Sequence, residues 1–163
     1  MALQTLEDVL KHQLKDLYSA GNQAVNALPE IANATQSPQL QNALNQHVDE
    51  TKQQLQKLER VSQIMDFSLE GEFCHGMEGL IKEGKEHVSE HEQGAALDAT
   101  IIAAVQRMQH YGMAGYGSSA TYARQLNLDE VESILNEVLE EEKSTDQKLS
   151  QLAESSINQE ARA

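Results

Sequence analysis

Apolar residues recur at intervals of three and four along four long segments of this sequence. In the first segment the series is Leu3, Leu6, Leu10, Leu14, Leu17, Gly21, Ala24, Leu28 and Ile31. Such spacing places the apolar side chains on one face of an α-helix, and that face must be buried against other helices. The chain has only 2 prolines among its 163 residues, so few positions interrupt a helix. We therefore predict an all-α bundle.

Capping residues mark where the predicted helices begin. Thr5 precedes two acidic residues at the start of the first helix, and Ser37 followed by Pro38 is typical of a helix start. Asn127 is expected to cap the last helix. A glycine-rich connection after the second helix is long enough to let the third long helix run parallel to the second. We predict a single domain, 1–163, with helices near 3–33, 38–65, 93–126 and 128–156, a short crossover helix near 77–92, and a frayed tail, 157–163.

A carboxylate interrupts the apolar series of the last long helix. That series is Leu128, Val131, Leu135, Val138, Glu142, Thr145, Leu149 and Leu152. Glu142 occupies a position where leucine is expected, and Asp146 lies one turn further on, so we expect the two acids to share one spot. In the second helix His47, Gln54 and, to one side, Glu50 interrupt the apolar face at mid-height. Buried carboxylates need cations, hydrogen bonds, a proton or a metal, so this level of the bundle is the candidate site.

The number of ligands at this level is small. Carboxylate-bridged di-metal bundles use a Glu from each of two helices and a Glu with a His from each of the other two. At the corresponding positions of the first and third long helices this chain has Gly21 and Gly112. The remaining acids, Glu50, Glu142 and Asp146, suffice only for weak binding of one cation. Close helix packing and a ligand cavity are the two alternative reasons for the glycines.

Other candidate motifs are weaker. His87 and His91 lie one turn apart on the short helix, which suits an adventitious surface metal site without a third ligand. Cys74 and His75 are adjacent, so their side chains seldom meet at one point, and a packed thiol is expected. His47 is expected to be a hydrogen-bonded core residue. No catalytic residue is identified.

Charge and composition exclude several partners. The formal net charge of −14 argues against nucleic acid, because phosphate binding needs clustered Lys and Arg. No apolar run approaches the length of a membrane span. A single cysteine excludes an intrachain disulfide, and the N-terminal residues do not resemble a signal peptide, so we expect a cytoplasmic protein.

Several short motifs, taken together, are specific. They are Tyr18-Ser19-Ala20 followed by Gln23, Ala27-Leu28-Pro29, His47-Val48-Asp49-Glu50-Thr51, Cys74 with Met77-Glu78-Gly79-Leu80-Ile81-Lys82-Glu83, His110-Tyr111 with Tyr116-Gly117, and Glu141-Glu142-Lys143 with Asp146. In these motifs, and over nearly its whole length, the chain resembles the YciE/YciF-type family of bacterial ferritin-like proteins. The resemblance implies a ferritin-like four-helix bundle with an extra crossover helix, a homodimer, a link to stress response and no established catalytic activity.

The chain departs from the pattern of that family at two places. A glutamate normally follows Tyr-Ser-Ala, where this chain has Gly21, and a stretch that is normally Glu-His-Tyr-Glu is here Gln109-His110-Tyr111-Gly112. The resemblance therefore implies that metal carboxylates are missing from the first and third long helices. The acids that remain are Glu50, Glu142 and Asp146, with Gln54 and His110 as possible neighbours.

Two functional hypotheses follow. The first is a non-catalytic, dimeric bundle protein of stress response with a degraded di-metal site and no cofactor. The alternative is a ferritin-like metal-binding protein or oxidase that uses the residual acids with iron or manganese. The glycines at positions 21 and 112 favour the first hypothesis, because they remove two of the ligands that the second one needs.

Overall fold

The computed structural model describes residues 2–163, and in that range the chain is helical without a β-strand. The elements are α1 (Leu6–Asn33), α2 (Pro38–Ile64), α3 (His75–Glu90), α4 (Ala95–Gln125), α5 (Asp129–Leu152), a π-helical turn (Ala153–Ile157) and α6 (Asn158–Ala161). The all-α prediction is confirmed, and the crossover helix α3 begins and ends two residues earlier than predicted. Within the described range no helix is both long enough and apolar enough to cross a membrane.

The four long helices form a bundle in which α1 packs on α2 and α4, and α5 packs on α4 and α2, while α3 covers α1 and α4. One core cluster joins the second half of α1, the first halves of α2 and α4, and the end of α5. The other cluster joins the opposite ends of the same helices. Helices α2 and α4 therefore run parallel, which the length of the crossover permits.

Local hydrogen bonds explain where the first two helices begin. The Thr5 hydroxyl accepts a hydrogen bond from the Asp8 amide at 3.1 Å, and the Asp8 carboxylate accepts one from the Thr5 amide at 3.0 Å. The Ser37 hydroxyl accepts from the Leu40 amide at 3.3 Å, with Pro38 in the first turn. These bonds satisfy amides that have no partner inside the helix. The predicted starts at Thr5 and Ser37 are confirmed.

The prediction for Asn127 is wrong. Asn127 does not cap the start of α5 but ends α4, with a left-handed φ of 58°. Its amide donates to the Arg124 carbonyl at 3.1 Å, and the Leu128 amide donates to the Ala123 carbonyl at 2.9 Å. This pattern closes a helix C-terminus, and asparagine tolerates the left-handed conformation that it requires. The left-handed backbone of Asn127 thus forms the turn between α4 and α5.

The C-terminal segment also differs from the prediction that residues 157–163 fray. Ile157 is only 1 % exposed, and helix continues to Ala161. The π-helical turn inserts an extra residue into the helical register and packs against α4 together with α6. Burial of Ala153 and Ile157 in the core holds this segment in place.

The N-terminus of α3 is fixed to the bundle through Cys74. The Cys74 amide donates to the Ser19 hydroxyl at 3.0 Å, and its carbonyl accepts from Gln23 Nε2 at 3.0 Å. The sulfur accepts from the Met77 amide at 3.3 Å and lies 3.1 Å from the Tyr111 hydroxyl. Burial raises the pKa of this thiol. Cys74 is thus the packed thiol that the sequence predicted.

At two interior glycines, a leucine from another helix occupies the space that a side chain at the glycine would need. A β-carbon added at Gly21 would lie 2.8 Å from Leu55 Cδ2, and one added at Gly115 would lie 2.5 Å from Leu17 Cδ2. Both distances are far shorter than the usual contact between carbon atoms. Close helix packing therefore explains these two glycines.

Replacement of Gly115 by alanine should destabilise the protein by about 1–2 kcal/mol, because overpacking against Leu17 outweighs the better helix propensity of alanine. Gly79→Ala is the matched control. It lies in α3 with no atom within 4 Å of the added β-carbon, and it should stabilise by about 0.5–1 kcal/mol. Urea denaturation of both variants measures the difference. Equal stabilisation by both substitutions would contradict the packing explanation.

Candidate functional site

A cavity of about 40 Å³ lies at mid-height in the bundle. This volume accommodates about two or three water molecules. Apolar side chains form much of its wall, and the positions that bear on its chemistry are Gly21, His47, Gln54, Gly112, Tyr116 and Glu142. Three of the polar residues that interrupt the apolar series, His47, Gln54 and Glu142, therefore line this cavity.

Glu142 projects from α5 into this cavity and is only 6 % exposed. Gly112 lies directly against it, since a β-carbon added there would be 3.1 Å from Glu142 Oε2. Burial raises the pKa of Glu142 to about 8, an effect that the hydrogen bond with Gln54 opposes and the nearby acids reinforce. The carboxyl group is therefore mostly protonated at neutral pH, which reduces the cost of burying it.

His47 lies on the α2 side of the cavity and forms a hydrogen bond with the side-chain amide of Gln109. The Gln109 Nε2 atom is 2.9 Å from His47 Nε2, and both side chains are buried. Burial lowers the pKa of His47 to about 4, so the imidazole is neutral and can accept a hydrogen bond from the amide. His47 is the hydrogen-bonded core residue that the sequence predicted.

In the sequence, Gln109 stands out only as a departure from the family pattern, yet it belongs to this site. It is 1 % exposed, and its Oε1 atom is buried without a hydrogen-bond partner. The apolar series of α4 passes through Met108 and Gly112, so Gln109 is next to that series rather than in it. Gln109 is buried because α4 packs against three helices, α1, α3 and α5, and therefore has a wide buried face. The apolar series alone does not show how wide that face is.

Replacement of Gln109 by glutamate should raise the pKa of His47 from about 4 to near or above 6.5, because a carboxylate at that distance stabilises the imidazolium. A pH titration of the imidazole resonances by NMR measures the change. Gln106→Glu is the control, because Gln106 donates to the Ser150 hydroxyl at 2.8 Å and forms no hydrogen bond with His47. An unchanged titration of His47 in Gln109→Glu would contradict the observed pairing.

The other two predicted acids do not line the cavity, although both lie near enough to raise the pKa of Glu142. Glu50 Oε2 accepts a hydrogen bond from the Thr145 hydroxyl at 2.7 Å, between α2 and α5. Asp146 Oδ2 lies 3.1 Å from Nε2 of His110, whose side chain is 64 % exposed. The expectation that Asp146 and Glu142 share one spot is therefore wrong. Successive residues of a helix are 100° apart around its axis, so residue i+4 does not lie directly above residue i. The remaining rotation between Glu142 and Asp146 carries Asp146 to the groove between α4 and α5.

Glu141 lies at the rim of the site and is neutralised. It forms an ion pair with Lys57, which also lies 3.1 Å from Glu137 Oε1. Gln54 Nε2 donates to Glu141 Oε2 at 3.3 Å. The Gln54 amide therefore serves two neighbouring carboxyl groups of α5. No local pattern in the sequence indicates this pairing, because Lys57 and Glu141 belong to different helices.

The residues present do not fit a di-metal centre. The cavity wall supplies one carboxyl group, Glu142, and one imidazole, His47, whereas such a centre needs four carboxylates and two imidazoles. Both groups are favoured in their neutral forms, and His47 already has Gln109 as a partner. Among residues 2–163, no three His, Cys, Asp or Glu side chains are placed to hold one metal ion.

Comparison with known proteins agrees with this architecture and its sequence motifs. The model of a domain of unknown function, DUF892, matches residues 5–162. The chain belongs to the DUF892 family. A relative of this chain, protein YciF of Escherichia coli K12, is 40% identical over 162 residues, which are 99% of this chain and 98% of that protein. The resemblance to YciE/YciF-type proteins is thereby confirmed.

Solved structures also resemble this DUF892 chain. The crystal structure of the E. coli stress protein YciF has a TM-score of 0.92 and 39% identity, covering 96% of this chain and 99% of that one. YcfI from Rhodopseudomonas palustris has a TM-score of 0.87 and 35% identity, covering 90% and 94%. A protein from Xanthomonas campestris pv. campestris, at 20% identity with a TM-score of 0.78 and 97% coverage of both chains, shares the fold.

Proposed function

We propose that this DUF892 protein is a non-catalytic, ferritin-like bundle protein of the stress response that has lost the ligands of a di-metal site. The contact between Gly112 and Glu142 carries this proposal. Where a bridging carboxylate would stand, α4 has no side chain, and the carboxyl group of Glu142 fills the space. A protonated Glu142 and a neutral His47 make a cavity that is stable without a cation.

The relatives support the biological part of the proposal. YciF, which is similar to this chain over nearly the full length of both, is described as a stress protein. YcfI is described, provisionally, as a structural protein.

We also propose that the protein is a cytoplasmic homodimer without a nucleic-acid partner. The net charge of −14 opposes binding to phosphate backbones. Three large apolar side chains, Leu3, Ile64 and Phe73, are 51%, 38% and 51% exposed, which leaves apolar surface for an interface. Light scattering should give twice the mass of the 18.0 kDa chain. A monomer mass throughout the micromolar range would overturn this part.

A second candidate function is metal binding or oxidation through the residual acids Glu50, Glu142 and Asp146. One observation favours it, since Asp146 Oδ1 is buried without a hydrogen-bond partner. The positions of these acids oppose it, because Glu50 is bonded to Thr145 and Asp146 is paired with His110.

Elemental analysis separates the two functions. The protein should be purified without chelators and then incubated with iron or manganese in excess before gel filtration. We expect far less than one iron or manganese ion per chain in the wild type, and no further loss of these metals in Glu142→Gln. A stoichiometric content of iron or manganese that falls in Glu142→Gln would establish the metal-binding alternative.

A further inference from the structure

The histidines of this chain differ in whether their ring nitrogens have protein partners. Four of the 6 are engaged: His12 with Glu72, His47 with Gln109, His75 with Glu78 and His110 with Asp146. In residues 2–163, only His87 and His91 form neither a hydrogen bond nor an ion pair through their rings. Their nitrogens are therefore free to accept another ligand.

These two side chains lie together at the C-terminal end of α3. His87 is in the last turn of the helix, and His91 is the residue that ends it, one turn further on. Their rings are nearly parallel, with 6.1 Å between the centroids and an angle of 16° between the planes. His91 is exposed and His87 is half-buried, so small rotations of the side chains can direct one nitrogen of each ring to a common point. Imidazole nitrogens bind zinc at about 2.0–2.1 Å.

The electrostatic surroundings favour a cation at this point. The C-terminal end of a helix carries partial negative charge from its free carbonyl groups. Glu86 and Glu90 lie in the last turns of α3, and Glu92 follows the residue that ends it. In the described range no ion pair joins any of the three to a basic side chain. The exposed acids therefore raise the local concentration of divalent cations around the two imidazoles.

We propose that His87 and His91 form a surface site for one divalent ion of copper, nickel or zinc, with water in the remaining coordination positions. Imidazole suits these metals, whereas magnesium and calcium prefer oxygen ligands. The spacing of His87, Glu90 and His91 is that of a motif found in zinc peptidases. Because residues 2–163 supply no third ligand for such a group, we assign binding to this site and no hydrolysis.

Isothermal titration calorimetry with zinc chloride, and separately with copper sulfate, tests the site in the full chain. One ion should bind per chain in the wild type. Loss of an outer hydrogen-bond partner alone weakens metal affinity by about 10–100-fold, so His87→Ala and His91→Ala should each weaken it at least tenfold.

His75→Ala is the matched control, since His75 lies at the other end of α3 with a side chain that is 83% exposed. It should bind zinc as the wild type does. Circular dichroism should show the same helix content in all three variants, because the substituted side chains are outside the core. Identical isotherms for wild type, His87→Ala and His91→Ala, or no binding up to millimolar zinc, would overturn the proposal. Because His87→Ala and His91→Ala lack this site, they also allow iron and manganese binding at the central cavity to be measured without it.

Discussion

Replacement of Glu142 by glutamine should stabilise the folded protein, and the gain should grow as the pH rises from about 5 to 8. Glutamine keeps the size of the side chain and can still bond to Gln54, but it has no proton to lose. In the wild type, burial holds the pKa of Glu142 at about 8, compared with 4.5 in an unfolded chain. Between these values the unfolded state releases a proton that the folded state keeps.

The sign and size of the effect follow from this difference. Because the folded state binds more protons, its stability falls by up to about 1.4 kcal/mol for each pH unit between the two pKa values. The wild type avoids this loss below about pH 4.5 and carries all of it above about pH 8. Glu142→Gln should therefore match the wild type near pH 4 and exceed it by up to about 4 kcal/mol near pH 8. Urea denaturation at pH 4, 6 and 8 measures the gain.

Glu140→Gln is the control for this experiment. Glu140 lies two residues earlier on the same helix, is largely exposed and pairs with Lys143 at 2.9 Å. Its replacement should change stability by less than about 0.5 kcal/mol, because surface ion pairs contribute little. If Glu142→Gln shows the same small effect at every pH, the carboxyl group of Glu142 is not buried as the structure shows.

The double change Gly21→Glu and Gly112→Glu should make the protein depend on metal for its stability. Without metal it should lose several kcal/mol, since one new side chain displaces Leu55 and the other adds a second buried carboxyl group beside Glu142. With iron or manganese, the two new carboxylates would join Glu142 and His47 around one cavity. Binding to the folded state should then raise the melting temperature with metal concentration.

Gly21→Gln with Gly112→Gln is the matched control, because it adds the same volume without charge. It should be destabilised whether or not metal is present. The wild type should show little metal-dependent shift in a paired thermal melt. A large shift in the wild type would contradict the loss of the di-metal site. Failure of the glutamate variant to fold under every condition would show that close packing alone explains the two glycines.

The sequence by itself determined the helices and the level of the site. Helix periodicity and capping are local properties, so Thr5, Ser37 and the apolar series predicted the starts and the buried faces of helices without knowledge of their neighbours. For the same reason Glu142 and His47 were predicted correctly as polar groups on buried faces. Asn127 shows the limit of local reasoning, because an asparagine there can start one helix or end another.

Only the tertiary structure decided which polar side chains meet. Glu50 lies one turn from Gln54 on α2, and Asp146 lies one turn from Glu142 on α5. Even so, Glu50 bonds to Thr145 and Asp146 pairs with His110. Gln109 reaches His47 from a different helix, 62 residues away in sequence. Such pairings depend on how far each helix is rotated about its axis. That rotation is set by packing between helices, including the fit of Leu17 and Leu55 against Gly115 and Gly21, and no local pattern in the sequence contains it.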